Sequence, residues 1–569
     1  MLVLSQNCSN ETNTTDLQIT IEAEQTSESV LSRIPVESAV FISEREMSVE
    51  RTCCVVTVSE SSCRPRLRNP LSCSGVILSE QSGIVVCSGL LFSPFLIDKD
   101  CISPNLTALH ANNFSNNMQV SIYHADMTAD ECTGKLSIKN GHQRPPQNAE
   151  LLMMVNCMEF QKTFQSIFTE AEKWNFYSGD EDAEILFDSN FLSWFAVLRM
   201  PGLATGTPSG TLLWVKSTSL IKGHSVLACG SPFGSFCPDL FMSTLSKGIV
   251  SNLAGEENAL ILTDARCLPG TEGGGLFVIN GDVQHLVGLI TSPLCWKSNE
   301  WIGLSLVCSF HLILRNILQA VTSHQSLREI SAFMDIPQVS SNANQKPATE
   351  KYPMVAVVES GQLWGSGILL NPNIVLTCRH VVNGKTLLQV RVNARERFLT
   401  VTGRVLYSSK TSSPYDVAVV ELQEPYSDVV VPQLATSYHL GEDVVVLGYG
   451  ALGKTCGPSV TSGILSRVIT QKNKPVMLQT TCAVQCGASG GAVIRASTGE
   501  LMGIMSSNTR DFAAKTTYPH LNFSIPLSVL EPLLGRFDQT GDASVFQVLD
   551  SVEDEVRRVW RLQIPQSKL

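Results

Sequence analysis

Gly487-Ala488-Ser489-Gly490-Gly491 sets one serine among glycines. Glycine accepts the backbone of a sharp turn, so such a run presents a hydroxyl beside N–H groups that can gather negative charge. Two histidines precede it in this half of the chain, His380 and His439. His380 closes Ile374-Val375-Leu376-Thr377-Cys378-Arg379-His380, an apolar strand that delivers an imidazole to a loop. Between them Asp416 opens Asp416-Val417-Ala418-Val419-Val420, an acid at the mouth of a buried strand. The order His…Asp…Ser supplies a general base (His380), an orienting acid (Asp416) and a nucleophile (Ser489). The backbone amides of Gly487 and Ser489 are the expected oxyanion donors.

Blander readings compete. The glycine run alone is compatible with a tight β-turn. His439 follows the acid and sits in Ser437-Tyr438-His439 with no strand delivering it. Asp428 and Asp443 read as a loop charge and a strand-start turn residue. A serine elbow of the α/β-hydrolase kind would use an acid and a histidine after the serine, here Asp511 and His520. They follow too closely for the intervening strands and helices, and no βαβ alternation precedes them.

The chain is too long, at 569 residues, for one ordinary core. Hydrophobic content of 43% with 16% charged residues describes packed globular protein. A net charge of -11 gives no electrostatic reason to expect a nucleic-acid partner. No apolar run approaches a membrane span, and nothing in the motifs calls for a cofactor or a metal. The 18 cysteines are scattered, several inside apolar runs (Cys87, Cys157, Cys229), and Met1-Leu2-Val3-Leu4 leads into no signal-peptide core. Reduced intracellular thiols are expected. The terminal Ser567-Lys568-Leu569 has the form of a peroxisomal address read by a targeting receptor.

The two halves echo each other. Cys87-Ser88-Gly89-Leu90 reads against Gly365-Ser366-Gly367-Ile368, and Phe195-Ala196-Val197-Leu198 against Val417-Ala418-Val419-Val420. Lys247-Gly248-Ile249-Val250-Ser251 reads against Ser462-Gly463-Ile464-Leu465-Ser466, and Val287-Gly288-Leu289-Ile290 against Met502-Gly503-Ile504-Met505. Gly270-Thr271-Glu272-Gly273-Gly274 stands where the second half has its serine turn. Echoes in one order imply a tandem duplication. Its first copy has lost the chemistry: Trp194 replaces Asp416, Glu272 replaces Ser489, and the histidine position falls near Ile102, with His110 out of register.

Short apolar or alternating runs at Met354–Val358, Ile368–Leu376, Leu387–Val392, Asp443–Leu447 and Met502–Ser506, broken by Gly, Pro, Asn and Ser, predict an all-β barrel architecture. The expected organisation is an N-terminal extension (1–50) and a degenerate unit (51–330) with an insertion near 110–185. A linker (331–350), an active unit (351–535) and a helical tail (536–569) follow. The tail's apolar stripe, Val545, Leu549, Val552, Val556 and Trp560, reads as docking on the barrel, with self-association into a homo-oligomer as the alternative.

The second half resembles trypsin-fold serine proteases of the HtrA/Deg branch. The resemblance rests on Gly463-Ile464-Leu465-Ser466, the Gly-x-Ser-Gly-Gly turn and Asn522-Phe523-Ser524-Ile525-Pro526, with Gly230-Ser231-Pro232-Phe233-Gly234 in the first half. It implies tandem double β-barrels, the first catalytically degenerate and the second active, with a C-terminal helix. With the Ser-Lys-Leu ending, the chain is similar to processing proteases of the peroxisomal matrix. That implies limited proteolysis of matrix proteins: removal of N-terminal targeting leaders, cleavage of fatty-acid β-oxidation enzymes, and self-cleavage. A chaperone-like binding module with a vestigial site is the alternative. Two departures from digestive trypsins matter. Ala488 stands where those enzymes keep an aspartate for the new N-terminus, and Ala483 where they keep the acid that pairs with Lys or Arg. A neutral specificity pocket at Ala483 favours small or apolar residues before the cut. Cys482 and Cys486 bracket that wall.

Overall fold

The computed structural model describes residues 48–561 apart from 62–69, 99–101, 104, 125–126, 130–135, 139–145, 170–173, 177–188, 202–211, 235, 237, 282, 298–299, 324–337, 340–354, 395–396, 451, 455 and 512–515. Most of the N-terminal extension, the linker and Ser567-Lys568-Leu569 lie outside the described residues.

The apolar runs form strands, and the strands close on themselves. In the second copy, six strands (Val355–Ser360, Leu363–Leu369, Ile374–Thr377, Leu387–Ala394, Arg397–Ser408 and Ala418–Leu422) make one closed barrel. Six more (Asp443–Gly448, Ser459–Gln471, Lys474–Thr480, Ala492–Arg495, Leu501–Asp511 and Thr516–Pro526) make another. In both, the strands follow one another around the ring in the order first, second, third, sixth, fifth, fourth. Closure pairs every strand on both sides, which removes the exposed edges that an open sheet would leave. The run expected as one strand over Ile368–Leu376 is a hairpin, because Asn371 and Pro372 turn the chain between its two halves.

The first copy repeats the pattern. Cys53–Glu60, Leu71–Ser79, Ile84–Ser88, Met118–His124, Gln147–Asn156 and Trp194–Arg199 take the same ring order, with Ala108–His110 added outside Gln147–Asn156. Ser225–Gly230, Thr244–Ala254, Leu260–Thr263, Gly275–Asn280, Val283–Ser292 and Ser305–Ser309 close the other barrel in that order. Four barrels with one winding are the fold expected of a duplicated trypsin-like unit. The stretch 110–185 is not a single insertion, since two barrel strands, Met118–His124 and Gln147–Asn156, lie within it. The additions come as pieces between strands, including the helix Met158–Ile167.

Register corrects one echo. Gly75 pairs with Cys87 as Gly367 pairs with Thr377, so Ser74-Gly75 corresponds to Ser366-Gly367. Counting on from Cys87, it is Leu90, and not Ile102, that occupies the position of His380. Phe195 and Val417 do correspond, which leaves Trp194 opposite Asp416.

The copies share a polar interface. The Asp264 carboxylate accepts from the Ser462 N–H (2.5 Å) and hydroxyl (2.7 Å), and Asn252 donates to Ser459 Oγ at 2.8 Å. The buried Lys222 ammonium donates to the carbonyls of Cys456 (2.9 Å) and Pro458 (2.8 Å), and burial lowers it to about 8.

Within each copy one buried serine ties barrel to barrel. Ser366 accepts from the Tyr449 N–H and donates to the Gly487 carbonyl, each at 2.8 Å, while its own N–H donates to the Ser489 carbonyl. Ser74 does the same with Ser231, Gly270 and Glu272. Removing either hydroxyl leaves a buried donor and acceptor unpaired. Ser74→Ala and Ser366→Ala are each expected to destabilise the chain by about 1–3 kcal/mol, read as a lower urea midpoint.

Candidate active site

The strand Ile374–Thr377 is buried throughout and ends at Cys378, from which the short helix Arg379–Val382 starts. This places His380 on the first turn, facing the loop that enters Ala418–Leu422. The His380 N–H donates to Asp416 Oδ1 at 3.0 Å, and Nδ1 meets Oδ2 at 2.5 Å. A carboxylate can only accept, so Nδ1 carries the hydrogen, and in the uncharged ring Nε2 keeps a lone pair that can take a hydroxyl proton. The imidazole is 48% exposed and the carboxylate 17%. Burial alone would push the Asp416 carboxyl up. The His380 hydrogen bond and the Arg379 guanidinium, 3.7 Å away, outweigh it and hold the carboxyl below its ordinary range.

Ser489 lies on a turn that glycine alone allows. Gly487 has φ 96° and Gly490 φ 84°, and a Cβ on Gly490 would run into the Ser366 carbonyl. The Gly490 N–H donates to the Met505 carbonyl at 2.8 Å, and the Cys378 thiol reaches the same carbonyl at 3.3 Å. The serine turn and the start of the His380 helix therefore hang from one backbone oxygen. Ser489 is partly exposed, and its hydroxyl does not hydrogen-bond to His380 in this structure. One χ1 torsion sets that oxygen, and such contacts tighten when substrate binds. Among the described residues, neither the Gly487 nor the Ser489 amide is taken up by a backbone carbonyl.

The first copy shows what this turn holds. Gly270 and Gly273 repeat the left-handed φ values, at 95° and 82°. There Glu272 folds its own carboxylate back, and the Gly270 N–H donates to Oε2 at 2.8 Å. The N–H groups of Glu272 and Gly270, counterparts of Ser489 and Gly487, both stabilise that anion, yet burial still raises the carboxyl to about 7. The first copy thus places a carboxyl oxygen where the second copy would receive the oxyanion.

Other candidates fall elsewhere. His439 meets Ser437 and Glu442. His520 approaches the Thr481 carbonyl and packs edge-on to Trp301, while the Asp511 side chain lies outside the described residues. Ala483 is buried and packs in a cluster made mostly of first-copy residues, its carbonyl accepting from Thr461. The thirteen described cysteines are free; Cys482 is buried and Cys486 exposed. Cys378, His380 and Asp416 offer ligand atoms within 4.8 Å of one another. Burial holds the Cys378 thiol well above its ordinary range.

The tail braces the acid. After the helix Leu527–Thr540, Ala543–Asp550 packs on the barrel that holds His380, while Trp560 of Asp554–Trp560 bridges the two barrels, meeting Tyr415 edge-on and donating to the Val476 carbonyl; Val545, Leu549 and Val556 are buried. The docking reading of that stripe holds. Asp550 accepts from the Lys410 N–H at 2.7 Å, Ser413 Oγ donates to the Leu549 carbonyl at 2.6 Å, and Arg557 donates to the Ser412 carbonyl. Arg379 closes the loop by donating to the Lys410 carbonyl. Local motif reading missed Ser366, Arg379 and these tail contacts, because each acts across long stretches of chain.

Comparison with known proteins gives the family. A family profile described as trypsin-like peptidase domain matches residues 365–504. The chain is 39% identical over 557 residues to the peroxisomal leader peptide-processing proteases of Mus musculus and Homo sapiens, covering 91% of this chain and 97% of each relative. It is also 27% identical over 186 residues to the periplasmic serine endoprotease DegP of Escherichia coli K12, covering 31% of this chain and 36% of that one.

Glu272 gives a pH test. Its folded pKa is raised, so the folded state holds the proton more tightly than the unfolded chain, and stability falls as pH rises from about 4.5 to about 7. Glu272→Gln should remove that slope, on the order of 3 kcal/mol between the two limits, when urea midpoints of both chains are compared across this range.

Proposed function

The chain belongs to the family of peroxisomal leader peptide-processing proteases, and on that premise we propose that it cuts targeting leaders from matrix proteins with His380, Asp416 and Ser489. It is a trypsin-like serine peptidase of the peroxisome. The observation that carries the residue roles is the His380–Asp416 pair at 2.5 Å beside the Ser489 turn.

In this reading His380 Nε2 takes the Ser489 proton as Oγ bonds to the scissile carbonyl carbon. The carbonyl oxygen becomes an anion, received by the Gly487 and Ser489 N–H groups, and the Glu272 carboxylate on the equivalent amides supports that role. The C–N bond breaks, the amine leaves with the proton from His380, and an acyl-enzyme remains. Water then repeats the steps: His380 takes its proton, the acid is released, and Ser489 regains its hydrogen. Asp416 stays ionised and steadies the imidazolium. Ala488 removes any need for a freshly cut N-terminus, and a neutral wall near Ala483 favours small or apolar residues before the bond.

The same reading makes 351–535 the active unit and 51–330 an inert one, joined by a linker at 331–350. The terminal Ser567-Lys568-Leu569 would be the handle for the targeting receptor, and self-association remains part of the proposal.

A fluorophosphonate should label the wild-type chain and not Ser489→Ala, while Asp416→Asn should lower kcat on the order of 10⁴-fold. Absence of labelling in both would favour a binding module. N-terminal sequencing of products from a peroxisomal matrix extract should show cuts after small or apolar residues; cuts after Lys or Arg would refute the neutral pocket.

A further inference from the structure

Between the last two strands of its second barrel, the inert copy carries an extra hairpin, Cys295–Lys297 and Glu300–Trp301, which pairs with Trp174–Phe176. The hairpin and the residues just after it reach the other copy. Trp301 meets the His520 ring edge-on at 5.5 Å, and Gly303, at φ 68°, lies so close to Pro519 and His520 that a Cβ would crowd both. Ile302 is buried, and its carbonyl accepts from Gln485 Nε2 at 2.7 Å.

Gln485 is the residue on which the oxyanion turn is hung. Its own carbonyl takes the Ala488 N–H at 3.1 Å, which closes the turn around Gly487. Its side-chain oxygen lies against Gly450, where a Cβ would sit 2.6 Å from it. The carboxamide is therefore wedged between its own barrel and a carbonyl of the other copy. Two residues upstream, Ala483 packs in the same cluster as Ile302 and Leu304. Next to Gln485, Cys486 feels the charges of Glu300 and Lys297. In the first copy the counterpart of Gln485 is Leu268, 45% exposed; its carbonyl takes the Thr271 N–H at 3.1 Å, so the turn itself closes without a tether, and there the Glu272 carboxylate occupies the Gly270 N–H.

We propose that the inert copy is a built-in positioning element for hydrolysis: the Ile302 carbonyl, through the Gln485 carboxamide, holds the 485–488 turn so that the Gly487 N–H faces the oxyanion. This rests on the reading of Ser489 as nucleophile. It also gives the degenerate copy a task that needs its fold and not its lost side chains.

The test uses the full chain and three variants. Gln485→Leu keeps the bulk and removes the donor, Trp301→Ala loosens the hairpin from the far side, and Ser74→Ala weakens the inert copy away from this contact. Gln485→Leu should lower kcat on a peptide substrate about 10-fold or more with KM changed less than about 2-fold, and slow fluorophosphonate labelling in parallel. Trp301→Ala should do the same more weakly, and Ser74→Ala should shift only the unfolding midpoint. Unchanged kcat in Gln485→Leu, or losses that follow the unfolding midpoint equally in all three variants, would overturn the proposal. Should Gln485→Leu fail to fold, Trp301→Ala decides. Failure of the wild type to label would sink the nucleophile reading instead, a separate outcome.

Discussion

Everything at this site depends on a serine that does no chemistry. Ser366 leaves a strand of one barrel and, with three hydrogen bonds, holds the Tyr449 amide, the Gly487 carbonyl and the Ser489 carbonyl of the other. Thr377 Oγ1 then donates to the Ser366 carbonyl at 2.6 Å, on the strand that leads to His380. Imidazole and hydroxyl come from different barrels, so their separation is set by how the barrels are joined. A hydroxyl suits the joint because it accepts and donates at once at a fully buried position.

The duplication supplies an internal comparison. Ser74 makes the same joint, and the glycine turn below it keeps the same backbone angles. What changed is three side chains: Leu90 for His380, Trp194 for Asp416 and Glu272 for Ser489. The first two fill the space with apolar bulk. The third gives the Gly270 N–H, which a vacant hole would leave unpaired, a carboxylate partner.

The barrel class, the duplication and the His380–Asp416 pair were legible because each is written locally: apolar runs of strand length, glycines at a left-handed turn, an acid opening a buried strand. The misplaced echo at Cys87-Ser88-Gly89 has a simple origin. Each first-copy hairpin arm carries its own Ser-Gly, at Ser74-Gly75 and Ser88-Gly89, and only ladder register tells which one matches Ser366-Gly367. The single insertion expected over 110–185 broke up for a related reason, since Gln147–Asn156 mixes polar and apolar residues and hides its strand period. Ala483 and Gln485 could not be understood from their neighbours in sequence, because what they touch, Ile302 and Leu304, belongs to the other copy.

The segment that steadies the acid loop lies far along the chain from it. Residues 543–560 reach back across the sequence to Lys410, Ser412 and Ser413, so during translation His380, Asp416 and Ser489 emerge from the ribosome well before this support does. A nascent chain therefore gains these braces on the acid loop only once residues 543–560 have joined the fold.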